Sequence, residues 1–160
     1  MKVLLSILAL ITSLKSIAQV QFKSTGIGVN SCSNRPPQQN EIGQFQYVAT
    51  CPGQGDYRVE VKGSYPNYSV FMTYKDHSIA PPDLDYDYAP GEIMEWRYLK
   101  TQRKRVDYFG AIYRIIKNED KSTEWVVVRL KKKSSCVIAI AEELSTARNL
   151  ADDPFRDECL

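Results

Sequence analysis

The chain has 160 residues, with 21 Lys and Arg against 19 Asp and Glu, a single His, four Cys and a formal charge of +2. That length suits one domain with a real hydrophobic core, and so even a balance gives no global attraction to nucleic acid or to an anionic membrane. A lone His77 far from every Cys, with no Cys-x-x-Cys spacing, argues against a zinc site, and Gly-x-Ser-x-Gly, His-Glu-x-x-His and phosphate-loop patterns are all missing.

Residues 1–18 begin with Lys2, continue through the mostly apolar run Val3–Leu14 and end in Ser16-Ile17-Ala18. This reads as a secretory signal peptide, too short for a spanning helix and with small side chains where signal peptidase needs them. No Cys follows Ala18, so a lipoprotein lipobox is absent. Cleavage would remove Lys2 and Lys15 and leave 19 basic against 19 acidic residues. The expected destination is the periplasm or the exterior, with no transmembrane segment once the signal is gone.

Residues 19–44 have weak periodicity and much turn chemistry (Gly26, Gly28, Asn30, Asn34, Pro36, Pro37) and read as an extended N-terminal arm with one short edge strand. From residue 45 to 160 the chain reads as a β domain, rich in Tyr, Val, Ile, Phe and Thr. Tyr57–Lys62 alternates strictly, which buries one face and solvates the other. Asn67–Tyr74 follows as a second strand. Asp76–Gly91 reads as a loop, because Pro81, Pro82 and Pro90 would spoil a central strand. Glu92–Leu99 and Asp107–Lys117 form a strand pair joined by the basic turn Lys100–Arg105. Trp125–Leu130 and Cys136–Ala141 form another, joined by Lys131–Ser135. Glu142–Ala151 alone has helical spacing, with Leu144, Ala147 and Leu150 recurring and Pro154 ending it. The fold class is therefore all-β with one C-terminal helix, an antiparallel β-sandwich or small barrel of about seven strands.

Four Cys in an exported chain imply two disulfides, and three connectivities are possible. The expected pairs are Cys32–Cys51 and Cys136–Cys159, because each flanks one compact unit. Closing a loop of about twenty residues is worth roughly 3 kcal/mol.

Chemistry is scarce. His77 beside Asp76 is the only imidazole available to a nucleophile system and reads as an exposed loop residue. Asp83, Asp85 and Asp87 alternate as calcium ligands do, but an EF-hand would need Gly where Tyr88 stands and Glu where Met94 stands. No metal and no cofactor is expected. All ten Tyr lie between Tyr47 and Tyr113, and exposed Tyr favours recognition because it brings contact area at low entropy cost. The candidate ligand-binding residues are Tyr86 and Tyr88 with Asp83, Asp85 and Asp87, on a loop too long for a mere connection. Lys100–Arg105 and Lys131–Lys133 could meet at one end of a sandwich and attract an anionic polymer.

The segments Cys51-Pro52-Gly53-Gln54-Gly55-Asp56-Tyr57, Met94-Glu95-Trp96-Arg97, Trp125–Leu130, Cys136-Val137-Ile138, Ala147–Asp152 and Cys159 together resemble an uncharacterised group of small secreted or periplasmic bacterial proteins, across residues 30–160. More loosely, the chain is similar to periplasmic lysozyme inhibitors, which are also small disulfide-bearing β proteins. The group implies no catalytic residue. The functional expectation is an exported binding protein, an inhibitor of a cell-wall hydrolase or a binder of an envelope protein or glycan. The alternative is a small hydrolase using carboxylates from Asp83, Asp85, Asp87 or Glu95.

Overall fold

The computed structural model describes residues 19–28, 30–34, 38–39, 45–64, 67–84, 87–100, 105–153, 155–156 and 158–160. In chain order the elements are β1 (Val20–Gly26), β2 (Ser33–Asn34), β3 (Gln38–Gln39), β4 (Phe45–Cys51), β5 (Tyr57–Ser64), β6 (Asn67–Tyr74), β7 (His77–Ile79), β8 (Tyr88–Lys100), β9 (Val106–Lys117), β10 (Thr123–Arg129), β11 (Cys136–Ala141) and α1 (Leu144–Asp152), with one 3-10 turn at Lys132–Ser134. Residues 1–18, expected from the sequence to be a signal peptide, lie outside the described residues.

Two antiparallel sheets result, and neither closes into a barrel. One runs β1-β8-β9-β10-β11; the other runs β2-β4-β5-β6-β7, with β3 also pairing with β4. The period-two rule sorts the side chains of the five-stranded sheet into two layers. Met94, Trp96, Ala111, Tyr113, Ile115, Val126 and Val128 face the second sheet and meet Val59, Val61, Val70 and Met72 in the main core. Their neighbours Ile112, Val127 and Ala139 face outward, where Ala147 and Ala151 of α1 cover them. Each large side chain fully buried this way stabilises by about 1.5–3 kcal/mol. Small alanines on α1 let the helix lie close to the sheet, and packing rather than capping holds it, since Glu143 at its N-cap makes no side-chain capping bond.

Both expected disulfides are present, Cys32–Cys51 and Cys136–Cys159. Disulfides of this kind suit an extracytoplasmic, oxidising compartment. Among the described residues no helix is long and apolar enough to cross a membrane.

The N-terminal segment contributes an edge strand: β1 pairs with β8 along its whole length, from Val20 opposite Leu99 to Gly26 opposite Ile93. Two local expectations need correction. The stretch 76–91 is not one loop, because β7 begins at His77 and β8 begins at Tyr88. Pro90 is tolerated because the register of β8 slips just beyond it. Pro90 stands opposite Ile115 and Met94 opposite Tyr113, so Gly91, Glu92 and Ile93 share the space facing Arg114. A bulge is one of the few places where a strand accepts proline. The helix, finally, runs two residues later at its start than periodicity indicated.

Candidate functional site

The structure disperses the residues singled out in the sequence. Tyr88 is 7 % exposed and belongs to the main core, not to a displayed loop. Its hydroxyl is buried with no hydrogen-bond partner among the described residues; Ser69 is close by without reaching bonding geometry, and burial raises the phenol pKa. Asp83 and Asp87 are exposed, and the Asp87 carbonyl accepts from the Asn118 N–H at 2.9 Å. Asp85 and Tyr86 lie outside the described residues. Glu95 is buried and points toward α1, where Arg97 Nη1 donates to Oε1 at 2.8 Å and Arg148 Nη2 donates to Oε2 at 2.7 Å. Tyr88 and Glu95 stand opposite Lys117 and Ile112. Those partners are five residues apart, roughly 16 Å of strand, so Glu95 and Asp87 cannot flank one scissile bond as a glycosidase pair would.

What the fold does assemble is a cleft of about 370 Å³ at one end of the sandwich, where the two sheets part. Its floor is apolar: Ile27, Ala49 and Val61 are each at most 5 % exposed. The first wall is the turn that follows β1. Ile27 and Gly28 both donate their N–H to the Glu92 carbonyl, at 2.8 and 3.2 Å, and Ser31 N–H donates to the Gly28 carbonyl at 2.9 Å. A Cβ on Gly28 would sit 3.2–3.4 Å from Glu92, so glycine lets this turn lie directly on the bulge. The bulge itself, through Gly91 and Glu92, forms the second wall. Tyr47 of β4 and Tyr68 of β6 form the third, packed edge to face with ring centres 5.7 Å apart. The Cys32–Cys51 disulfide ties the first wall to β4.

The chemistry of the lining is one-sided. Asn30, Ser31 and Glu92 are exposed at the rim, and among the described residues the lining includes one carboxylate and no Lys, Arg or His. Two phenol rings and a carboxylate over an apolar floor favour an aliphatic body with a cationic tip. The lining holds no nucleophile–base pair of the kind acyl or glycosyl transfer requires, and among the described residues no three His, Cys, Asp or Glu gather as a metal site.

Sequence reading missed Tyr47, Glu92 and the turn after β1. The only local signal was the Cys32–Cys51 span, which brackets Tyr47 and Ala49, together with Gly26-Ile27-Gly28. No family model, curated protein or solved structure matches the chain, so the resemblance to secreted bacterial proteins rests on its motifs alone.

Proposed function

We propose that the chain is an exported, non-enzymatic binding protein of the periplasm or exterior, which holds an envelope partner by receiving an amine- or guanidinium-tipped side chain in the cleft between Tyr47, Tyr68 and Glu92. The observation that carries this reading is the pairing of an apolar floor with a rim that offers, among the described lining residues, one carboxylate, two tyrosines and no cation. A lysine or arginine of a protein target has the required form, an aliphatic stem ending in a charge. Inhibition of a wall hydrolase is one consequence such binding would have. Engagement of Glu95 by two arginines disfavours the hydrolase alternative, because it removes from duty as an acid or base the one carboxylate of that alternative that lies on a strand among the described residues.

Backbone amide NMR with hexylamine, hexanol and hexanoate tests the reading. Hexylamine should shift the amides of Ile27, Gly28, Ser31, Cys32, Ala89, Gly91 and Glu92 at millimolar concentration, hexanol more weakly, hexanoate least. Glu92→Gln should weaken hexylamine at least fivefold. Equal response to hexanoate and hexylamine would sink the cationic-ligand proposal.

A further inference from the structure

The two disulfides sit in unlike surroundings. Cys51 is 5 % exposed and Cys32 packs against the same main core, so that bond is sealed within the sandwich. Cys136 opens β11, half-buried against the helix-side cluster, whereas its partner Cys159 is exposed. β11 is an edge strand of the five-stranded sheet. Residues 158–160 are fastened to it by that disulfide and by the Leu160 N–H, which donates to the Val137 carbonyl at 3.0 Å.

A second cleft, of about 400 Å³, opens beside Cys159, with Ile138 of β11 below and Phe155 and Leu160 among its lining. Phe155 is 92 % exposed and Leu160 76 %, the most exposed large apolar side chains among the described residues. An apolar rim of this kind marks a surface that a partner covers, and here it flanks a reactive bond.

We infer that Cys136–Cys159 is a site of thiol–disulfide exchange, opened by a protein dithiol that docks on Phe155 and Leu160. The reading is independent of the cleft at Tyr47 and its ligand. Exchange requires a thiolate to reach one sulfur of the bond, so access decides which disulfide reacts and at which end. The exposed Cys159 receives the attack and the half-buried Cys136 is the leaving group. The incoming thiolate bonds to Cys159 Sγ, the S–S bond breaks, and Cys136 departs with the electron pair and takes up a proton. The second thiol of the dithiol, as thiolate, then attacks its own partner sulfur in the mixed disulfide and frees Cys159, which is protonated in turn. The dithiol ends as a disulfide, and this chain has gained two electrons and two protons.

The consequence is local. Arg97 holds Asp152, and Arg129 holds the carbonyls of Ala151, Asp153 and Arg156, so α1 and the turn after it are fastened ahead of Cys159. Opening the bond frees residues 158–160 and bares part of the β11 edge, where an extended segment of a partner can add.

Timed reduction of the oxidised protein by thioredoxin and by dithiothreitol, followed by alkylation and peptide mass spectrometry, tests the assignment. Both reagents should open Cys136–Cys159 at least tenfold faster than Cys32–Cys51. A thioredoxin variant with its resolving cysteine replaced by Ser should be trapped on Cys159. Phe155→Ser with Leu160→Ser should slow thioredoxin at least fivefold and leave dithiothreitol unchanged. On reduction, amide exchange should quicken in residues 158–160 and stay slow in α1. Equal opening of the two disulfides, trapping on Cys136, a thioredoxin rate indifferent to the double substitution, or loss of protection throughout α1 would each overturn the proposal.

Discussion

Arg97 on β8 grips Asp152 in the last turn of α1 side-on, with Nε donating to Oδ1 at 2.8 Å and Nη2 donating to Oδ2. Its remaining nitrogen, Nη1, donates to Glu95, which also accepts from Arg148 one helical turn before Asp152. Burial lowers the Arg97 pKa, but the bonds and charges of Asp152 and Glu95 more than reverse this and leave it raised. Residues 95 and 97 share a strand face, and 148 and 152 share a helix face. Two of the motif segments singled out in the sequence, Met94–Arg97 and Ala147–Asp152, are thus the two halves of one ion-pair network. Phe22 of β1 lies under both guanidiniums, 5.8 Å from Arg97 and 5.5 Å from Arg148.

Removing one member of a buried ion pair costs more than the pair contributes, because the other charge stays behind. Arg97→Ala should therefore destabilise by about 3–5 kcal/mol, leaving Glu95 buried. Arg148→Ala, at a side chain 41 % exposed, should cost about 1 kcal/mol or less. Urea unfolding of both variants checks the ordering, and equal losses would contradict the structure.

Tyr88 gives the opposite sign. Its hydroxyl is buried with no hydrogen-bond partner among the described residues, a loss of hydration worth about 1–3 kcal/mol. Tyr88→Phe keeps the ring and deletes that cost, so it should be neutral or stabilising by about 1 kcal/mol. Burial raises the pKa values of both Tyr88 and Tyr113 above the ordinary phenol range. The unfolded phenols ionise first, near pH 10, while the folded ones keep their protons. Stability from these groups is thus complete below about pH 10 and falls as pH rises from there toward the folded values. Thermal scans from pH 8 to 11 should show that fall, and it should be shallower in Tyr88→Phe. A flat profile would mean the rings are not sealed.

The Cys32–Cys51 bond spans 19 residues and joins the turn after β1 to β4, so it both staples the fold and shapes the first cleft. Replacing both cysteines by Ala should lower stability by roughly 3 kcal/mol and abolish the hexylamine response at temperatures where the protein remains folded. Retention of that response would separate the cleft from the disulfide.

Legibility of the sequence followed the range of the interactions. β5 was readable because Tyr57, Val59 and Val61 alternate with polar neighbours, and local alternation is all a half-buried strand needs. β1 was legible only as an edge strand of unassigned position in the N-terminal arm, because most of its side chains are exposed and its partner β8 lies some seventy residues away. Pro90 and the neighbouring aspartates made Tyr88 look like a loop residue, since a bulge can be recognised only against the opposing strand. The cleft beside Tyr47 and Glu92 arises where distant turns converge, and no window of sequence contains it.

Arg129 carries the last prediction. It is 4 % exposed on the helix-facing side of β10. Its Nη1 donates to the Ala151 carbonyl at 3.0 Å, and Nη2 donates to the carbonyls of Asp153 and Arg156, the latter at 3.1 Å. Carbonyls at a helix C-terminus lack intrahelical donors and carry partial negative charge, so a cation there satisfies and stabilises them. One guanidinium thereby closes α1 and fastens the chain that leads to Cys159, whose disulfide with Cys136 returns to the strand beside β10. Arg129→Met fills much of the volume but leaves these carbonyls buried without a donor. It should destabilise by about 2–4 kcal/mol, and hydrogen exchange should quicken in residues 147–156 while β5 and β6 stay protected. Arg129→Lys should recover only part of the loss, since one ammonium cannot reproduce the planar fork that reaches three carbonyls. Full recovery by lysine would show that charge alone, not the geometry of the fork, holds the helix end.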